Sequence, residues 1–70
     1  MSRHMVVKGL RGDRPYIVQG LLYGAGYDPK GFDGSFNVGA ESATKEYQRN
    51  NSLEADGKVG GETFAKLVGR

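Results

Sequence analysis

Two Asp-Gly pairs, Asp33-Gly34 and Asp56-Gly57, are the residues of this sequence whose type and spacing first suggest chemistry. Carboxylates around a glycine are typical of calcium loops, in which a Glu at the twelfth position chelates the ion. A loop of that kind built on Gly57 would place Thr63 at its twelfth position, and a loop built on Gly34 fits worse. We therefore predict no metal and no cofactor, and interpret both Asp residues as turn formers.

Hydrolytic chemistry is the other use that the carboxylates and serines could have. A glycosidase needs two acids that face each other across a cleft, one of them with a raised pKa. The acids of this chain fall on predicted turns and helix surfaces of a domain with only 70 residues. A serine nucleophile needs a histidine partner, and the single histidine, His4, lies at the extreme N-terminus. We predict no catalytic residues.

Length and composition allow one small domain. The chain has no cysteine, so disulfides and thiolate metal sites are excluded, and its net charge of +2 indicates no particular partner. No stretch approaches the roughly 18 apolar residues of a membrane span. Residues 1–5 lack the apolar run of a signal peptide, and a second Met, Met5, directly follows His4. We therefore interpret these residues as an expression leader. Residues 6–70 then form the predicted domain, a module of a longer protein.

Three segments repeat one helical pattern of apolar residues at i, i+3, i+4 and i+7. The pattern predicts helices over roughly 13–25, 38–50 and 61–68. The positions expected to face the core are Val18, Leu21, Leu22 and Ala25, then Ala40, Ala43, Thr44 and Tyr47, and finally Phe64, Leu67 and Val68. Asp13 and Asn37 are the expected N-caps of the first two helices, and Gly26 suits the left-handed position after the first.

The second and third helices follow similar turns. Each Asp-Gly pair is followed two positions later by an apolar residue, Phe36 or Val59, which we expect to enter the core before its helix begins. This is a loop–helix unit used twice. The sequence therefore predicts an all-α fold, a compact three-helix bundle with two Asp-Gly loop–helix units.

These residues and their spacing resemble the peptidoglycan-binding domain family over roughly residues 12–68. The resemblance rests on Val18-Gln19, Leu22, Gly26-Tyr27, Asp33-Gly34-Ser35-Phe36, Ala43, Tyr47-Gln48, Leu53, Asp56-Gly57-Lys58-Val59-Gly60, Thr63-Phe64 and Leu67. Departures from the family's usual residues occur at Pro15, Asn37, Ala40, Ser52 and Phe64. Because Asn37 is a suitable helix cap and Phe64 a suitable core residue, these departures do not argue against the fold. They bear on the shape of the ligand surface.

The resemblance implies a three-helix, non-catalytic module that targets an attached amidase, muramidase, transglycosylase or peptidase to peptidoglycan. The implied partners are the glycan or stem peptide of the wall and the linked catalytic domain, with no nucleic acid and no membrane. The implied location is extracellular or in the cell wall of a bacterium, or on the wall as part of a phage lysin. We expect a monomer.

The residues that we predict to bind the ligand are Tyr16, Gln19, Tyr23, Tyr27, Gln48 and Arg49. Tyr16 and Tyr23 project away from the apolar side of the first helix, with Gln19 expected between them, and tyrosine can stack on a sugar while its hydroxyl forms hydrogen bonds. For Gln19 and Gln48, hydrogen bonds to loop backbone are the favoured role. Tyr27 and Phe32 are expected to pack around the first loop.

Two alternatives stay open. A small nucleic-acid-binding domain would use the second helix, which carries Lys45, Gln48, Arg49 and Asn50, although Glu41 and Glu46 dilute its positive charge. A protein-docking module with the same fold is the other. Steep salt dependence of DNA binding would support the first alternative.

Overall fold

The computed structural model describes residues 5–31 and 33–69. Its three helices are α1 (Asp13–Gly24), α2 (Val38–Asn50) and α3 (Gly61–Gly69). The predicted all-α, three-helix fold is confirmed, and each helix begins and ends close to its expected bounds. The predicted leader, apart from Met5, and Phe32 lie outside the described residues. Among the described residues, no helix has the length and hydropathy needed to cross a lipid bilayer.

The core is formed by side chains from all three helices, from the segment before α1 and from the loops before α2 and α3. It contains Val6, Val18, Leu22, Phe36, Ala40, Ala43, Tyr47, Val59 and Leu67. Phe36 and Val59 are fully or almost fully buried, which confirms that the residue after each Asp-Gly turn enters the core. Burial of these side chains from water is the main stabilising contribution in so small a domain.

The segment before α1 joins the two loop–helix units. Val6 and Val59 exchange backbone hydrogen bonds of 2.9 and 2.8 Å as an antiparallel bridge. Farther along, the Phe36 N–H donates to the Leu10 carbonyl oxygen, and the Phe36 carbonyl oxygen accepts from Gly9, both at 2.8 Å. The backbone of each buried loop residue is therefore paired, as burial requires.

The helix ends show one correction to the predicted caps. Asn37 caps α2, and its Oδ1 accepts from the N–H groups of Gly39 and Ala40 at 3.1 and 3.3 Å, as expected. Asp13 is not the N-cap of α1, because Gly12 occupies that position and Asp13 is the first helical residue. There the carboxylate can still interact favourably with the positive end of the helix dipole.

The C-termini of α1 and α2 adopt the backbone geometry that places a left-handed residue after the helix. After α1, Gly26 has φ 96°, and the Tyr27 N–H donates to the Leu22 carbonyl oxygen at 2.8 Å. After α2, Ser52 holds the equivalent position with φ 60°, and the Leu53 N–H donates to the Gln48 carbonyl oxygen at 2.9 Å. A serine thus occupies a conformation that glycine adopts at lower cost.

The buried face of α3 differs from the predicted one. Thr63 and Leu67 are buried, whereas Phe64 is 41% exposed and Val68 is 57% exposed. The expectation that Phe64 and Val68 belong to the core is wrong. The rotation of α3 is fixed by the bridge at Val59 and by Thr63, whose Oγ1 accepts a hydrogen bond from the buried Gln48. Phe64 lies about 100° farther around the helix and is therefore turned toward solvent.

Candidate ligand-binding surface

Gln48 is buried on α2 and holds the turn that precedes α3. Its Oε1 accepts from the Gly57 N–H at 2.9 Å, and its Nε2 donates to the Lys58 carbonyl oxygen at 2.9 Å. The same Nε2 lies 3.1 Å from Thr63 Oγ1 and 3.2 Å from Asp56 Oδ1. One side chain thus satisfies the backbone of the turn and fixes the start of the next helix.

Gln19 has the same role on α1. Its Oε1 accepts from the Gly34 N–H at 3.1 Å, and its Nε2 donates to the Ser35 carbonyl oxygen at 3.0 Å. Its side chain has no exposed area, so it does not lie between Tyr16 and Tyr23 on the solvent side of α1, as the sequence suggested. The favoured role of both glutamines, hydrogen bonding to loop backbone, is confirmed.

The aspartates of the two turns act as turn formers. Asp33 Oδ1 accepts from the Ser35 N–H at 3.0 Å, and Asp56 Oδ1 accepts from the Lys58 N–H at 2.9 Å. Gly34 and Gly57 both have φ 75°. The Ser35 N–H, and after it the Gln19 amide, lower the pKa of Asp33 from its ordinary value. In the part of the chain that is described, no group of three His, Cys, Asp or Glu residues is placed to hold a metal.

Tyr27 lies in the loop between α1 and α2, here called the first loop, and packs against α2. Its ring meets the ring of Tyr47 edge to face, with centroids 5.3 Å apart, and its hydroxyl accepts from Asn50 Nδ2 at 3.0 Å. The side chain is half-buried, and the ring contact confirms that it packs around this loop. Tyr27 therefore offers a ligand much less area than an exposed tyrosine does.

Tyr16 and Tyr23 lie on the solvent side of α1, where they are 54% and 58% exposed. Ile17, beside them, is 51% exposed. We call the surface formed by Tyr16, Ile17, Gly20 and Tyr23 the α1 face. Unlike α2 and α3, α1 shows almost no separation of apolar from polar residues around its axis. A solvent-facing helix surface is usually polar or charged, so the α1 face stands out as a surface suited to a partner.

Arg49 lies elsewhere, in a groove of about 320 Å³ between the first loop and α2. The groove is lined by Asp28, Lys30, Val38, Gly39, Ser42, Ala43, Glu46 and Arg49. Gly39 allows the loop to approach the helix closely, because a Cβ there would lie 2.7 Å from the Pro29 carbonyl oxygen. The groove offers both positive and negative groups, in contrast with the α1 face.

Comparison with known families gives one match that covers most of the chain. The model of the family described as putative peptidoglycan binding domain matches residues 11–67. The chain belongs to this family. Family membership makes this peptidoglycan-binding domain a binding module and not an enzyme in itself.

Solved structures support the assignment. The domain is 28% identical to the SleB N-terminal domain, with a TM-score of 0.91 over 99% of this chain and 94% of that one. It is 33% identical to a peptidoglycan-binding protein from Clostridioides difficile, crystallised with glutamine hydroxamate, with a TM-score of 0.86 over 90% of this chain and 39% of that one. It is 28% identical to the Burkholderia AP3 phage endolysin, with a TM-score of 0.88 over 94% of this chain and 25% of that one.

The structure thus divides the six predicted ligand-binding residues of the peptidoglycan-binding domain into three groups. The first group is structural: Gln19 and Gln48 are buried and hold turns, and Tyr27 packs between the first loop and α2. Tyr16 and Tyr23 share the α1 face, and Arg49 lies in the groove beside α2. The prediction missed Ile17 and Gly20, whose positions in the sequence place them on the same side of α1 as the tyrosines.

Proposed function

We propose that the domain binds peptidoglycan through the α1 face and thereby holds a covalently linked cell-wall hydrolase at its substrate. The observation that carries the site is the exposure of Tyr16 and Tyr23 on a part of α1, residues 15–24, that contains no charged residue. Each tyrosine offers an apolar ring for stacking and a hydroxyl for hydrogen bonds, which suits the surface of a sugar or peptide.

Targeting follows from linkage to a catalytic domain. The domain corresponds to 25% of the phage endolysin chain that it matches, which leaves most of that chain for other parts. A binding module joined to a hydrolase raises the hydrolase's local concentration at a repeating polymer even when each contact is weak. This function places the protein outside the cytoplasm, at the bacterial wall, either as a bacterial enzyme or as a phage lysin.

The proposal is tested by co-sedimentation of the folded domain with purified, protein-free peptidoglycan sacculi at low and high salt. We expect Tyr16→Ala with Tyr23→Ala to weaken binding by about fivefold to a hundredfold, since two aromatic contacts of about 0.5–1.5 kcal/mol each are lost. Far-UV circular dichroism should show unchanged helicity, because both side chains are mostly exposed.

Val68→Ala is the matched control, since it removes a 57% exposed apolar side chain from α3. It should bind as the unmodified domain does. Unchanged binding by the folded double variant would contradict the α1 face as the site. Failure of the unmodified domain to bind sacculi would contradict the proposed function and favour protein docking, whereas strongly salt-dependent binding to DNA would favour the nucleic-acid alternative.

We assign Arg49 a secondary role within the same function. Its groove also contains Lys30 and Glu46, so it offers cations to a stem-peptide carboxylate and an anion to an amine. Arg49→Gln should lower the affinity for isolated stem peptides without changing helicity. An unchanged affinity would remove Arg49 from the site.

A further inference from the structure

Gly20 lies in the interior of α1, at the centre of its exposed face. At about 100° per residue, Tyr16 and Tyr23 fall on one side of Gly20 and Ile17 on the other, each roughly 40–60° away. The buried residues Val18 and Leu22 lie on the opposite side of the helix. Gly20 therefore occupies the middle of the surface that the domain presents to solvent.

The fold itself does not require glycine at this position. Among the described residues, apart from its chain neighbours and the backbone of its own helix, no atom would lie within 4 Å of a Cβ placed on Gly20, and the residue is helical, without a positive φ. By contrast, Gly39 and Gly57 would each place a Cβ under 3.0 Å from a neighbouring atom. Glycine in a helix interior is destabilising relative to alanine, so Gly20 weakens α1 without serving its packing.

The space above Gly20 remains open although large side chains surround it. Neither tyrosine ring closes over the position, because no side chain in the described part of the protein comes within 4 Å of the Cβ site. Tyr23 follows Tyr16 by seven positions, which correspond to about 10.5 Å along the helix axis. The α1 face therefore has an exposed glycine at its centre, an aromatic residue at each end and Ile17 along one side.

Charge indicates which part of peptidoglycan fits this patch. Residues 15–27 contain no charged residue, although 26% of the chain is charged. The charged residue on this side of α1 is the exposed Asp13, at the first position of the helix and about 10.5 Å from Gly20 along the axis. Stem peptides carry carboxylates and amines, which need charged or strongly polar partners when they leave water. A sugar ring has an apolar face and neutral hydroxyl and amide groups, which match tyrosine rings and an uncharged surface.

We propose that Gly20 is the floor of a glycan subsite, on which a sugar ring of the peptidoglycan strand lies flat between Tyr16 and Tyr23. The inference rests on the proposed wall-binding function and specifies its ligand as glycan. The absence of a side chain at Gly20 lets the ring approach the helix backbone, and Ile17 contacts its edge.

The test uses the domain with two probes, intact sacculi and sacculi whose stem peptides have been removed by an amidase. We expect the unmodified domain to bind both. Gly20→Ala should raise Tm by about 4–8 °C, as expected for a glycine replaced within a helix of a domain of this size. The same substitution should weaken binding to peptide-free glycan about tenfold, and Gly20→Gln should weaken it further, because the added atoms keep the ring from the backbone.

Gly61→Ala is the matched control. Gly61 is also helical and exposed, and a Cβ there would likewise meet no atom of the described residues within 4 Å, but it lies at the first position of α3. It should bind both probes as the unmodified domain does. Opposite changes in stability and binding at Gly20 alone would separate a ligand subsite from a general effect of removing glycine.

Different failures have different meanings. Unchanged affinity of Gly20→Ala and Gly20→Gln for peptide-free glycan would overturn the subsite. Binding to intact sacculi but not to peptide-free glycan would overturn the glycan assignment and leave the proposed function standing. Absence of binding to both probes would overturn both. Self-association of the domain that Gly20→Gln abolishes would identify a second copy of the chain as the occupant and would also overturn the subsite.

Discussion

Replacing Gln48 with methionine should remove a large part of the domain's stability. Methionine has nearly the same length and shape as glutamine, so the core packing is kept while the amide is lost. The Gly57 N–H and the Lys58 carbonyl oxygen each form a 2.9 Å hydrogen bond with the Gln48 amide. Both lose this partner in the variant. Thr63 Oγ1, at 3.1 Å, loses its contact as well.

The expected cost follows from the burial of these groups. A buried polar group without a partner costs about 1–3 kcal/mol, and the Gly57 N–H belongs to a buried residue. Counting two backbone groups, and allowing for the gain from an apolar side chain, we expect Gln48→Met to lower the free energy of unfolding by about 2–4 kcal/mol. Proteins of this size are stable by only about 4–10 kcal/mol, so the effect should be large.

Gln19→Met is the matched comparison. Gly34, its partner on the first turn, is only half-buried, and the Gln19 Nε2 to Asp33 Oδ1 distance of 3.4 Å is long for a hydrogen bond. We expect a smaller loss of about 1–2 kcal/mol, because water can reach the groups that it exposes. Urea unfolding followed by circular dichroism measures both values. A Gln48→Met loss below that of Gln19→Met, at equal m-values, would refute the reasoning from burial.

Gln48→Glu extends the same test to pH. A carboxylate at this position can still accept from Gly57 but cannot donate to Lys58, and it would face Asp56 Oδ1, which now lies 3.2 Å from Gln48 Nε2. Burial and the neighbouring carboxylate should raise the pKa of the introduced carboxyl group in the folded state. The deficit is then complete above that raised pKa and disappears below the unfolded value of about 4.3. The variant should therefore approach the stability of the unmodified domain on acidification, and a pH-independent deficit would contradict this explanation.

Three further predictions concern the turns and helix ends. Ser52→Gly should raise the free energy of unfolding by about 0.5–1 kcal/mol, because Ser52 holds φ 60°, and a decrease in urea unfolding would count against strain there. Gly39→Ala should lower it by about 1–3 kcal/mol, since the Cβ would lie 2.7 Å from the Pro29 carbonyl oxygen; an unchanged urea midpoint would show that the loop moves aside. The lowered pKa of Asp33 means that its contribution is present above the unfolded value of 3.8 and lost as the pH falls through the folded value. Asp33→Asn should therefore flatten the acid limb of the stability curve below about pH 4, and a curve as steep as that of the unmodified domain would place the acid sensitivity elsewhere.

Local hydrogen bonding explains which features could be predicted from the sequence. Asn37 caps its helix through N–H groups two and three residues away, and each Asp-Gly turn is closed by an N–H two residues away. Such contacts depend on neighbouring residues only. The partners of Gln19 and Gln48 were harder to predict, because they lie 8 to 16 residues away. A general preference of side chains for backbone partners predicted the kind of bond, but the sequence did not indicate which loop atoms would accept or donate.

The errors arose where tertiary contacts decide the outcome. Apolarity predicted that Phe64 would be buried on α3, but the buried contact between Thr63 and Gln48 sets the rotation of that helix. A helix of 9 residues contains few repeats of the apolar pattern, so a single polar contact can outweigh that pattern in setting the buried side. The sequence did not indicate that Gly20 belongs to a binding surface. An isolated glycine in a helical pattern only makes the helix prediction weaker.

The distribution of polar contacts suggests why binding and stability can be altered separately in this domain. Gln19 and Gln48 both point from a helix toward the turn that follows it, so the groups that hold the fold together lie between helices and loops. Gly20, the centre of the α1 face, lies about 100° around the helix from Gln19, and no atom of the described residues beyond its own stretch of helix would contact a Cβ there. Changes at Gly20 should therefore act on the ligand and on helix propensity, whereas changes at the glutamines should act on folding. An alanine at Gly20 should stabilise the helix at no cost to the core, as is common at sites where natural proteins are not at their stability optimum. Loss of binding together with that gain in stability is therefore the result that separates the proposed sugar contact from a merely suboptimal residue.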